Sequence, residues 1–453
     1  MKRLFSIIFV VLATVIFTAN ICHAKAPKYI FLFIGDGMAA PQRMVAEEFA
    51  RHAGHGTLVI NHMPYHGTTR TASSTSLVTD SAAAGTAIAC GEKTHNGVIG
   101  LAKDKKRHLV SVAEVAKKQG RKIGILTTVT INHATPAAFY AHRTNRSMYY
   151  EIGLDLVASN FDYFAGNGVG MADNKKSNEY KGNINDLARK VGYKVISKEK
   201  DFLALKPGCG KVLINANIPY TIDTPKDAVF TLANLTEKGI ELLDNPNGFF
   251  MMVEGGKIDF AGHANDAATN LHEVLAFDNA VKVAMDFAKK HPDETLIVIT
   301  GDHETGGMTM GFAATGYAMY MERLANQKCS AGMFKDILKN ANKKKQEEQK
   351  RDLNFEEVCQ LLTEYYGFIF DVKTKSPMRL NSMEKKQIKT AFEKNTLPDT
   401  ARRIMASKAG IGWTSGAHTA LPVVTTAYGK SAEKFSGFYE NTEISNRLKA
   451  ILK

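Results

Sequence analysis

Four apolar runs constrain this chain more than anything else in it. Tyr29 to Ile34, Lys122 to Val129, Phe249 to Val253 and Thr295 to Thr300 lack the polar alternation of a half-exposed strand. A strand without that alternation is covered on both faces, as in a parallel sheet flanked by helices. Helical spacing fills the gaps: Ala40 to Arg51, Ser111 to Gln119 with Gly120 as its stop, Asp227 to Leu243 ended by Asn245-Pro246, and Thr269 to Lys290. The alternation predicts an α/β fold with a central, mostly parallel sheet and helices on both faces. A last strand is expected at Pro422 to Ala427, and His52 to Thr75 reads as a glycine- and threonine-rich loop. From about Ala313 to Ser415 the composition turns to Lys, Glu, Gln, Asn and Met at helical spacing. That segment reads as a mostly helical insertion in a body spanning residues 27–453.

The runs end on chemistry. The first exits into Gly35-Asp36-Gly37-Met38, the second into Asn132-His133-Ala134-Thr135-Pro136, the third into Glu254 and the segment through Asp259 and His263, and the fourth into Gly301-Asp302-His303-Glu304. In such sheets ligands bind beyond the carboxyl ends of the strands, so Asp36, Glu254 and Asp302 are expected at one rim. Ser81 opens the small-residue run Ser81-Ala82-Ala83-Ala84-Gly85, where the free N–H groups and dipole of a helix start favour negative charge. That place suits a phosphoryl-accepting nucleophile; its plain alternative is a serine N-cap. Asp36, Ser81, Thr135, Glu254, Asp259, His263, Asp302, His303 and His418 form the candidate set. Crowded carboxylates raise one another's pKa, and metal cations remove the conflict. Mixed His and Asp ligands suit zinc, and an all-oxygen set suits magnesium. Asp259 and His263, four apart, share a face if helical, whereas Asp302 and His303 serve one metal only from a turn.

The N-terminus reads as a signal peptide over residues 1–26: Lys2 and Arg3, an apolar stretch from Leu4 to Ile21, and small-residue cleavage sites around Ala24 and Ala26. Ser6, Thr14 and Thr18 break the apolar stretch, which favours cleavage over a retained anchor. The expected location is periplasmic or secreted, with no transmembrane segment in the mature chain. Cys90, Cys209, Cys329 and Cys359 remain after cleavage without a Cys-x-x-Cys pair, and their pairing is open. Cys90 reads as a small buried helix residue. The net charge of +13 suits nucleic acid, an anionic membrane or an anionic substrate; no nucleic-acid module is visible, and part of the excess lies in the lysine-rich stretch near Lys343-Lys344-Lys345, which reads as a solvated helix face.

In these stretches the chain resembles the alkaline phosphatases that use two zinc ions and a third metal. The matching residues are Gly35-Asp36-Gly37-Met38, Asp80-Ser81-Ala82, His133-Ala134-Thr135-Pro136, Arg146, Glu254 to Asp259, His263, Gly301 to Glu304 and Gly416-Ala417-His418-Thr419. The resemblance implies a phosphomonoesterase that acts on small phosphomonoesters through a phosphoserine on Ser81. It implies one Zn2+ on Asp259, His263 and His418, and a second on Asp36, Asp302, His303 and Ser81. A third cation, Mg2+, would sit on Asp36, Thr135 and Glu254. Arg146 would clamp phosphate, with Arg143 as its competitor. His133 stands where some members carry Asp; it either pulls the third site toward Zn2+ or orients a metal-bound water. Phe260 stands where others carry a polar residue. A homodimer is implied by resemblance alone. The rival functions are a phosphodiesterase of the same superfamily and a non-catalytic exported anion-binding protein. A sulfatase is disfavoured, since no Pro and Arg follow Ser81 at the spacing that formylglycine formation needs.

Overall fold

The structure is a computed structural model that describes residues 26–453. The targeting segment read at residues 1–26 therefore lies, but for Ala26, outside the described residues. One ten-stranded sheet forms the centre. Its order is Gly437–Glu440, Tyr65–Arg70, Val423–Gly429, Thr295–Gly301, Tyr29–Gly35, Phe249–Gly255, Lys122–Thr127, Tyr163–Gly166, Val212–Asn215 and Lys194–Ile196. The four apolar runs are adjacent in the middle, paired parallel and in register from Tyr29↔Phe249 and Tyr29↔Thr295 to Gly35↔Gly255 and Gly35↔Gly301. Equal register brings their carboxyl ends level, which is why the residues that follow share one rim.

Side chains of the Tyr29–Gly35 strand alternate between two cores. Tyr29, Phe31 and Phe33 join one cluster, and Ile30, Leu32 and Ile34 the other. Both clusters are closed by helices, so each face of the sheet is buried. The long helix Ala267–Lys290 covers the first face, and the Ser81–Cys90 helix with the C-terminal helix Thr442–Leu452 covers the second. Cys90 is buried in the latter core, where burial pushes its thiol up to about 12. All four described cysteines are free.

Val423–Gly429 runs antiparallel to both its neighbours, so the mostly parallel sheet is mixed at that side. Two expectations need correcting. The stretch read as loop contains the strand Tyr65–Arg70. Its residues, Tyr-His-Gly-Thr-Thr-Arg, carry little apolar signal because burial falls on Gly67 and Thr69 rather than on large side chains. The helix expected from Asp227 begins at Leu232, where the Thr231 hydroxyl accepts from Asn234 N and sets the cap. Between residues 313 and 415 lie the helices Ala331–Gln349, Phe355–Tyr366, Ser382–Glu393 and Leu397–Ala409. Phe334, Leu362, Ile388 and Ile404 from these helices merge into the first core. The excursion is closed at its base by Met308–Met310 pairing with Ile411–Trp413. No helix among the described residues is long and apolar enough to cross a membrane.

A Cβ at Gly67 would meet the Phe435 carbonyl oxygen at 2.4 Å, so the strand sits too close to its neighbour for any side chain there. Gly67→Ala is expected to cost on the order of 1–3 kcal/mol, read as a lower urea midpoint with an unchanged slope.

Candidate metal centre and nucleophile

Asp36 is held at the end of its strand by a tight turn. Gly37 has a φ of 73°, and a Cβ there would press on Thr305 Oγ1 at 2.8 Å and Asp259 Cα at 2.9 Å. Only glycine admits both the backbone angle and the approach of the Asp259 helix. Asp302 follows the Thr295–Gly301 strand and accepts from Gly37 N at 3.1 Å, which locks these two neighbouring ends together.

Ser81 is the first residue of its helix, and the cap is Asp80, whose Oδ1 accepts from Ala83 N at 3.0 Å. With the cap filled by its neighbour, the buried Ser81 hydroxyl is left to face the rim, 3.2 Å from His303 Nε2. Asp80 Oδ2 also accepts from Gly97 N at 3.0 Å and pairs with Arg146 Nη1 at 3.1 Å. Arg146 is thereby held beside the serine. Arg143 is occupied elsewhere, paired with Asp155 through two nitrogens at 2.6 and 2.8 Å and with Glu179 at 2.7 Å.

The sequence-derived candidates gather in three overlapping sets. His263 Nε2 and His418 Nε2 stand 3.4 and 3.5 Å from Asp259 Oδ1 and 3.2 Å from each other. His303 Nε2 stands 3.4 Å from Asp36 Oδ1, 3.3 Å from Asp302 Oδ2 and 3.2 Å from Ser81 Oγ. Asp36, His133 and Glu254 form the third group, with Thr135 Oγ1 at 3.4 Å from Asp36 Oδ2. The Asp259 and His263 side chains share one face of the helix Lys257–His263, and Asp302-His303 lie between two strands.

These distances fit cations. Ligand atoms about 2.0–2.1 Å from a tetrahedral zinc stand roughly 3.3–3.4 Å apart. The protonation pattern agrees. His263 Nδ1 faces Gly416 O and His418 Nδ1 faces Thr79 O, each at 2.8 Å, so each ring carries its proton there. The two Nε2 atoms then face each other at 3.2 Å, a spacing that a cation on both, or a proton on one, makes favourable. Asp36 Oδ1, Asp302 Oδ2, Glu254 Oε1 and His133 Nδ1 are buried with no hydrogen-bond partner. Unpaired buried polar atoms are costly, and a metal ligand set removes that cost.

Supporting residues that sequence reasoning missed aim these groups. Thr127, at the end of its strand, donates to Glu254 Oε2. Thr305 Oγ1 donates to Asp259 Oδ1 at 2.5 Å and lies 3.2 Å from His303 Nδ1. Glu304 is not in the set; it ties Gln42, Gly307 N and Met308 N together beneath it.

Electrostatics follow crowding. Burial, then Asp302 and Asp259, push Asp36 well above the usual carboxylate range. Burial lifts Glu254 to about 8, against the Thr127 hydrogen bond, and lifts Asp302 to about 7, against the Gly37 hydrogen bond. Burial also favours protonated Asp259, but the hydrogen bond with His418 and the nearby histidines hold it below the usual range. Burial and the neighbouring His418 press His303 well below its ordinary value; burial and Arg146 bring His133 to about 4. Burial lowers His418, yet Asp259 outweighs it and leaves the ring raised.

The family model described as alkaline phosphatase matches residues 27–453. The repressible alkaline phosphatase of Saccharomyces cerevisiae is 30% identical over 95% of this chain and 82% of its own length. Alkaline phosphatase 3 of Bacillus subtilis is 31% identical over 93% of this chain and 88% of its own. Among solved structures, a cold-active alkaline phosphatase from a Shewanella species superposes with a TM-score of 0.80 at 29% identity, covering 94% of this chain and 100% of that one.

Metal-free protein should lose stability as pH rises from about 6.5 to 8.5. Glu254 and Asp302 keep protons in the fold up to about 8 and about 7, whereas unfolded carboxylates lose theirs near pH 4. The folded state binds more protons in that window, so stability is present at low pH and lost on the way up. The depressed histidines act oppositely, but only below about pH 6.5. Thermal melts of chelated protein are expected to fall across this window, and added zinc to flatten the slope; a chelated protein that melts higher at pH 8.5 would contradict the assignment.

Proposed function

The chain belongs to the alkaline phosphatase family and is a phosphoric monoester hydrolase, and from that premise we propose that Ser81 carries the reaction through a phosphoserine. The observation that supports this most is the buried Ser81 hydroxyl, freed by Asp80 from capping duty and set 3.2 Å from His303 Nε2. Asp259, His263 and His418 would hold one zinc, and Asp36, Asp302, His303 and Ser81 a second. Asp36, Thr135 and Glu254 would hold the third cation. His133, with its free Nδ1 in the same group, favours Zn2+ there over the Mg2+ that an all-oxygen set would take. When bound, such cations favour the serine alkoxide and neutralise charge on the entering and departing oxygens.

The chain's own residues do the rest. Ser81 gives its hydroxyl proton to solvent as Oγ attacks phosphorus, the ester P–O bond breaks, and the alcohol leaves with a proton from solvent. Water then attacks the phosphoserine; the Ser81–phosphorus bond breaks, phosphate departs and the hydroxyl regains its proton. The start of the Ser81 helix presents N–H groups and the positive end of a dipole to the phosphoryl oxygens. Arg146, pinned through Asp80, offers its fork to two of those oxygens and is only partly exposed. Positioning and charge carry such reactions, so the rigidity of these contacts matters more than added acid–base groups. Export to the periplasm or medium is part of the proposal and rests on the N-terminal sequence.

Ser81→Ala is expected to keep its zinc, measured by metal analysis, and to lose on the order of 1,000-fold or more in phosphate release from an aryl phosphate. Wild-type turnover in that variant would refute the assignment. Arg146→Ala should lose about 100-fold in kcat/KM, while Arg143→Ala, whose guanidinium is spent on Asp155 and Glu179, should lose far less.

A further inference from the structure

A cavity of about 280 Å3 opens beside His133, at the edge of the candidate site. Its walls are Val129, Thr130, His133, Tyr149, Met171 and Phe260. Phe260 and Met171 are 39% and 57% exposed, which is apolar surface left open next to a site built for an anion. No carboxylate lines it. Lys257 touches it too, but its Nζ is turned to the Ile218 carbonyl and lies over the Tyr220 ring.

Hydrogen bonds among its wall segments hold the cavity in shape. Buried Asn132 donates to Tyr149 O at 2.7 Å and Gly170 O at 2.8 Å, and accepts from Gly170 N at 2.7 Å. These bonds fix the Tyr149 wall against the segment that carries Met171. Asn167 N donates to Val129 O at 2.8 Å and fixes a second pair of walls. One wall of the cavity, His133, also touches the candidate phosphate-clamping arginine. The Phe260 ring meets His133 edge-on at 5.8 Å, and His133 Nε2 lies 3.2 Å from Arg146 Nη2. Its volume falls just below the roughly 300–1,000 Å3 of pockets that enclose drug-sized ligands, so it suits a single ring.

We propose that this cavity receives a flat apolar ring in the alcohol part of the substrate, so that the chain selects ring-bearing phosphate monoesters over small aliphatic ones. The inference rests on the phosphomonoesterase reading above. Phe260 and Met171 set this preference by apolar contact, and Asn132 acts only by holding the walls.

The test compares kcat/KM for 2-phenylethyl phosphate and propyl phosphate on the zinc-loaded full chain. Both alcohols ionise similarly, so the ratio reports contact rather than leaving ability. Wild type is expected to favour the ring by about 10-fold, the effect of covering part of its apolar surface. Phe260→Ser and Met171→Ser should each bring the ratio below about 3, while Val372→Ser, exposed and remote, leaves it at the wild-type value. A wild-type ratio near 1, or one unchanged in both cavity variants, overturns the proposal. Calorimetric binding of 2-phenylethylphosphonate against propylphosphonate asks the same question without chemistry. Should wild type hydrolyse neither ester, the reaction assigned to Ser81 fails, and the phosphonate ratio alone decides the cavity: a preference near 10-fold supports it and equal binding overturns it.

Discussion

Two imidazole nitrogens that face each other across 3.2 Å beside a buried carboxylate, His263 Nε2 and His418 Nε2, state the constraint on which the structure turns. Around them stand Asp36, Asp259, Asp302 and Glu254, all buried. A fold that gathered these groups for packing alone would hold a cluster of repelling charges and unpaired atoms at its centre. The same cluster becomes favourable once positive charge enters it. The apolar sheet beneath provides a rigid platform and excludes water, which strengthens every interaction above it.

The platform works because the central strands are parallel and in equal register. Each strand ends at the same height, and the candidate ligands lie at that end or in the turn or short helix that follows. A second layer then fixes their angles. Thr127 holds Glu254, Thr305 holds Asp259, Gly37 N holds Asp302, and the carbonyls of Thr79 and Gly416 hold the two facing histidines. These contacts fix the distances between the candidate ligand atoms, and a fixed polar site needs little reorganisation at the moment of reaction.

The central strands and the rim were legible because each rests on a local signal, an unbroken apolar run followed by glycine and an acidic residue. Ser81 was legible as the head of a small-residue helix, with a plain N-cap as its alternative, and the family resemblance chose between the two; the resemblance also gave His418 its role. Neither spacing nor composition marks His418, which reaches the site by a two-residue pairing with Glu304-Thr305. Thr127 and Thr305 escaped notice since a threonine that orients a carboxylate looks like any other strand threonine. The Tyr65–Arg70 strand escaped because its partners, not its residues, make it a strand: it lies between Val423–Gly429 and Gly437–Glu440, far along the chain. The role of Asp80 as cap and arginine anchor was visible only as an acidic residue before the serine.

The bond from His418 Nδ1 to Thr79 O joins residues 339 positions apart. During synthesis, the segment entering the serine helix therefore waits for nearly all of the remaining chain before its last partner emerges. Such long-range closure is slow and costs loop entropy that only the finished sheet repays. A chain stopped short of His418 thus carries the Ser81 helix without this partner to the segment that enters it.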